Sequence, residues 1–133
     1  MRKMIAAALF LAPMVAHADD VKKLSGADLA VQTHKWDGKT IETSGYCFYA
    51  DVNEYRCMTI GPGGGARVDF SKLEPEAARK RIEDNCDTIS KMLTKACAVR
   101  FQFVYESYDT HVSGNDVFHI VIAKDNAGTI VGK

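Results

Sequence analysis

Four cysteines and a group of aromatic and basic side chains are the residues of this chain that could do chemistry. Cys47, Cys57, Cys86 and Cys97 make an even set with three possible pairings. Cys47 and Cys57 flank Asp51-Val52-Asn53-Glu54, which reads as the turn of a hairpin. A turn centred on Val52 puts residues 47 and 57 opposite each other, where Cβ atoms approach to roughly 4.5–5.5 Å. A Cys47–Cys57 disulfide is therefore expected, which leaves Cys86–Cys97. On one straight helix those two would lie about 16 Å apart along the axis, too far for a bond. Asn85-Cys86-Asp87-Thr88 reads as a break, with Asn ending one helix and Asp capping the next. The chain is then expected to return so that Cys97 meets Cys86. The cysteines contain no CxxC pair, which argues against a structural zinc.

Tyr46, Phe48, Tyr49 and Tyr55 cluster on that hairpin, with Arg56 and Arg67 on neighbouring strands. Aromatic faces beside cations can stack on sugars or bases, worth roughly 1–3 kcal/mol per base. Tyr46, Phe48, Tyr55, Arg56 and Arg67 are the expected ligand-binding set. Gly61 to Gly65 suggests a phosphate loop, but the Gly-Lys-Ser/Thr ending is absent and a strand follows, so a hairpin loop is expected. Arg79-Lys80-Arg81, Lys91 and Lys95 are interleaved with acids and read as a helix face paired at i,i+4. His34, His111 and His119 fall on different elements without metal-ligand spacing. His119 is expected to be half-buried beside Val117 and Val121. No catalytic constellation is visible. The serines lack an elbow motif, and carboxylates such as Glu106 and Asp109 form no recognisable pair. Neither an enzyme nor a cofactor or metal is expected.

These residues lie in a chain of 133, enough for one domain. Met1-Arg2-Lys3, an apolar run from Met4 to Val15, and Ala16-His17-Ala18 form the pattern of a cleaved export signal over residues 1–18. The run is shorter than the roughly 20 residues that span a bilayer. Residues 19–133 are expected to be a single, soluble periplasmic domain without a membrane span, and monomeric. Such a compartment favours disulfides. The 17 basic and 17 acidic groups balance, and loss of Arg2 and Lys3 without an acid would leave the mature part at −2. That charge argues against a nucleic-acid partner.

The elements that would position these residues can be read from periodicity. Ser25 is placed to cap a short helix, and Trp36-Asp37-Gly38-Lys39 is a turn. Strands are expected over 40–50, 55–60, 66–70, 99–105 and 117–123, with Gly45 bending the first. Residues 129–131 read as a short terminal extension. A helix opens at Glu74-Pro75, with Pro75 at the first helical position and Ala78, Ile82, Cys86 and Ile89 as its inward stripe. Three strands, a helix and two strands is the order of a five-stranded OB-type Greek-key barrel. The fold class is thus mainly β with helices, one helix lying between strands three and four.

Gly38-Lys39-Thr40-Ile41 leading to Gly45, and Val68-Asp69-Phe70-Ser71 leading to Glu74-Pro75-Glu76, resemble exported bacterial OB-fold proteins. The similarity is to their small tRNA-anticodon-binding-like group, over about residues 36–124. It implies a fold and a binding role, and it transfers no catalytic residue. A non-catalytic periplasmic binding or accessory protein is the expectation, its partner a protein or an envelope oligosaccharide. An oligonucleotide binder and a small periplasmic hydrolase using Glu106 or Asp109 are the alternatives.

Overall fold

A computed structural model describes residues 20–59, 65–114 and 116–133. The expected export signal and most of the glycine loop lie outside the described residues. The barrel consists of β2 (Thr40–Asp51), β3 (Glu54–Met58), β4 (Arg67–Phe70), β6 (Ala98–Ser113) and β7 (Asp116–Ala123). Their order is β2-β3-β4-β7-β6, and β6 pairs back with β2 to close the ring. Only the β4–β7 contact among these is parallel. This is the closed OB-type barrel. Among the described residues no helix is long and apolar enough to cross a membrane.

Closure depends on β2 serving two partners. Residues Thr40 to Tyr46 pair with β6, and Tyr46 to Asp51 pair with β3. The hand-over falls at Gly45, where a Cβ would lie 2.3 Å from the Met58 carbonyl oxygen. No side chain fits between those backbones. The hairpin turn is tighter than expected: Asp51 pairs directly with Glu54, and Asn53 takes φ of 55°. A register shift between Tyr49 and Asp51 compensates, so Cys47 still faces Cys57. The two are bonded, with Cα atoms 4.0 Å apart.

Three short strands were not foreseen. β1 (Val21–Lys23) runs parallel to β2, and β5 (Lys72–Glu74) runs parallel to β8 (Ala127–Gly132), which pairs with β6. The expected terminal extension is thus a full strand. Gly128 lets β8 pass the Phe70 ring, whose Cε1 would sit 2.6 Å from an added Cβ. Phe70 in turn meets Phe101 and Phe103 edge-on at 5.8 and 6.0 Å between centroids.

The helical segments cover the barrel. Ser25 caps α1 (Gly26–Leu29): its Oγ accepts the Asp28 N–H at 3.2 Å, and Asp28 Oδ2 accepts the Ser25 N–H at 3.0 Å. The Ser25 N–H, and then the Ser25 hydroxyl, which also donates to Asp28 Oδ2 at 3.0 Å, hold that carboxyl below its usual range. Leu29 is buried in the core. Pro75 precedes α2 (Glu76–Asn85) as its N-cap, in extended conformation, instead of occupying the first helical position. Ala78, Ile82 and Cys86 do form the inward stripe, but Ile89 is 73% exposed and Met92 is buried instead. The helix ends at Asn85, and Cys86 leaves helical geometry at φ −130°, ψ 45°. Past that break the 3.6-residue phase no longer applies. α3 (Ile89–Met92) restarts with Thr88, not Asp87, as its N-cap. The chain then returns through a 3-10 turn, Lys95–Cys97, and Cys97 bonds Cys86 with Cα atoms 5.9 Å apart.

Candidate functional site: the outer face of the barrel

Strand register places four side chains in one row across the barrel exterior. Tyr46 is opposite Met58, Met58 opposite Arg67, and Arg67 beside Ile120. All four are partly exposed. Paired residues on adjacent strands share a face and lie about 4.8 Å apart between strands, so the row spans roughly 14 Å. A second row, Phe48–Arg56–Asp69, runs beside it.

The two arginines are held by acids on their own strands. Arg67 Nε lies 3.0 Å from Asp69 Oδ1, and its Nη2 donates to Asp69 Oδ2 at 3.1 Å. Arg56 Nη2 donates to Glu54 Oε1 at 2.5 Å. Residues two apart on a strand point the same way, so each pair lies flat on the surface. The face therefore presents oriented charge without net charge.

The expected aromatic set divides. Tyr46 stands on the outer face, half-buried against the core. Phe48 is only 9% exposed and Tyr55 only 3%. Cys47 and Phe48 point to opposite sides of β2, yet both are buried. The segments α2, α3 and the Lys95–Cys97 turn all pack against β2. Tyr49 N donates to the Cys86 carbonyl at 2.7 Å, tying that layer down. Tyr55 packs against Tyr49, with ring centroids 5.6 Å apart, and its hydroxyl donates to Glu83 of α2. Burial first, and then the Glu83 bond and charge, push the Tyr55 hydroxyl up to about 12. Phe48 and Tyr55 hold the fold together and offer no open ring to a ligand. Met58 and Ile120 are the members of the row that residue type did not suggest. Register alone places them there, and the β4–β7 register is non-local.

Most of the other candidates have ordinary partners, while His119 Nδ1 is buried without a hydrogen-bond partner among the described residues. Arg79 Nε lies 3.6 Å from Glu83, and Lys91 Nζ lies 3.0 Å from Asp87, both at i,i+4. Glu106 is exposed at a β6 register shift, and Asp109 Oδ1 accepts the Thr110 N–H at 2.7 Å. His34 Nδ1 lies 2.9 Å from Asp37, with its ring against Tyr108, and His119 is half-buried. The His111 side chain lies outside the described residues. Among the described residues no three His, Cys, Asp or Glu side chains are grouped to hold a metal.

No protein-family model matches this chain. No curated protein matches it either. Among solved structures, asparaginyl-tRNA synthetase from Entamoeba histolytica, in complex with asparaginyl-adenylate, is similar at 12% identity and a TM-score of 0.35. The match covers 85% of this chain and 24% of the synthetase, so the chain spans about a quarter of that protein's length.

Proposed function

We propose that this is a non-catalytic recognition or accessory protein, exported to the periplasm, whose barrel face binds a protein partner or an envelope oligosaccharide. One observation carries the reading: the registered row of Tyr46, Met58, Arg67 and Ile120. It combines an aromatic ring, two apolar side chains and a guanidinium fixed by Asp69. A flat strip of that composition suits an extended partner that offers both apolar edges and hydrogen-bond acceptors. Compensation of both arginines on the same face disfavours a polyphosphate ligand, which needs uncompensated cations. The two disulfides suit the oxidising compartment that residues 1–18 would lead to.

The test is capture from periplasmic extract on the immobilised oxidised protein, beside Tyr46→Ala and Arg67→Ala variants of unchanged melting temperature. A protein or glycan retained by the wild type and lost from both variants supports the reading. Identical profiles for all three proteins overturn it.

A further inference from the structure

We propose that the open edge of β6, from Glu106 to Val112, takes up an extended, basic segment of a protein partner as an added strand. This rests on the recognition reading above and chooses between its two partner classes. Up to Tyr105, β6 has a neighbour on the side away from β7. Residues Ala98 to Val104 pair with β2, the Tyr105 N–H donates to the Lys39 carbonyl at 2.9 Å, and its carbonyl accepts the Gly38 N–H at 2.7 Å. The chain before Gly38 turns, with the Lys39 N–H bonded to the Trp36 carbonyl at 2.9 Å. Past Tyr105, among the described residues, β7 is the only strand that pairs with β6. The open stretch covers about 20 Å. β1 and β5, the outer strands of the sheet, have only three residues each.

Register decides which backbone groups face that edge. Tyr105 turns its N–H and C=O away from β7, so its pairing with Ala123 carries no ladder bonds. Glu106 is the extra residue of a bulge, and Ser107 then stands opposite Ile122. Bonded and open pairs alternate along an antiparallel ladder. Tyr108–Val121 and Thr110–His119 are therefore open pairs, and Tyr108 and Thr110 turn their N–H and C=O to the outer edge. One bond supports this independently. The Thr110 N–H donates to Asp109 Oδ1 at 2.7 Å, so a side chain engages a donor that the ladder leaves over. Donors and acceptors at two-residue spacing are what an added peptide strand pairs with. A sugar chain has no backbone amides to match them.

Position and charge name the occupant. Asp109 is paired with Ile120, so it ends the row that Tyr46, Met58 and Arg67 begin. A strand added at this edge extends that same face. Glu106 and Asp109 are exposed, and neither makes an ion pair among the described residues. Pairing with a second copy of the edge would set these carboxylates near their own counterparts, and like charges disfavour such pairing. The same two groups favour a strand that carries Lys or Arg.

Fluorescence anisotropy of labelled, end-blocked hexapeptides titrated with the oxidised protein tests the edge. One probe alternates Lys and Val, and its control alternates Glu and Val. The Lys–Val peptide is expected to bind about tenfold more tightly. The double variant Glu106→Lys/Asp109→Lys should reverse that preference. Where it does not fold, Asp109→Asn, which keeps an acceptor for the Thr110 N–H, should weaken the Lys–Val peptide about threefold. Two further Lys–Val peptides carry N-methyl groups, one on every Val amide and the other on every Lys amide. An added strand uses only one of these sets, so one peptide should lose at least about tenfold in affinity and the other keep it. Equal binding of the two methylated peptides, no preference for Lys–Val, or no response to the charge variants overturns the proposal. Failure of every peptide to bind also overturns it, while the barrel-face reading still stands or falls by capture from extract.

Discussion

Gly45 shows how much one missing side chain can decide. A methyl group there would lie 2.3 Å from the Met58 oxygen and 2.9 Å from its carbonyl carbon, and neither backbone atom can swing aside. Gly45→Ala is expected to destabilise the fold by about 1–3 kcal/mol or more, as overpacking does. Denaturant unfolding would measure it, and a change within about 0.5 kcal/mol would contradict the account. Tyr55 makes a separate residue-level prediction. Its hydroxyl titrates near 10.0 when unfolded and is pushed up to about 12 when folded. From pH 10 to 12 the folded state holds the proton more tightly, so stability falls as pH rises through that window and is flat below it. Tyr55→Phe should flatten that alkaline decline in part, because burial also raises Tyr105. An unchanged slope in the variant would show that the Glu83 bond and burial do not act on this group. Gly45 was legible from sequence as a bend. The burial of Tyr55 was not, because its inward face, shared with Cys57, is fixed by pairing with Tyr49 and Phe70 on neighbouring strands.

At the scale of elements, the helical region separates what local pattern can report from what it cannot. The break at Asn85-Cys86 was legible, since residue types at helix ends carry the signal. The inward stripe beyond it was misplaced, because a break resets the helical phase. Met92 is buried and Ile89 exposed. Met92→Ala should therefore cost about 2–5 kcal/mol, whereas Ile89→Lys should stay within about 0.5 kcal/mol. The reverse order in chemical denaturation would return the stripe to Ile89. The Cys47–Cys57 pairing was readable for a similar local reason, as a hairpin has near-symmetric register about its turn. The β1, β5 and β8 strands were hidden, because each takes part in a parallel pairing or lies beside a strand distant in sequence. No run of three to six residues announces a partner 19 to 55 positions away.

For the whole molecule, the barrel brings together side chains that sequence separates. Tyr46, Met58, Arg67 and Ile120 come from four strands and meet in one row only because β4 pairs with β7 in parallel. That pairing is a property of closed OB topology, so the fold itself builds the candidate site. The same closure, with the helical layer, buries Phe48 and Tyr55. Of the three hairpin aromatics expected to bind a ligand, Tyr46, Phe48 and Tyr55, only Tyr46 thus stays at the surface. Net charge near zero on the face accords with recognition by shape and directed hydrogen bonds over long-range attraction. The most direct test is amide chemical-shift mapping of the labelled, oxidised protein with the partner captured from extract. The account predicts the largest changes at Tyr46, Met58, Arg67 and Ile120. Changes confined to α2, α3 and the Lys95–Cys97 turn, with that row unmoved, would contradict it.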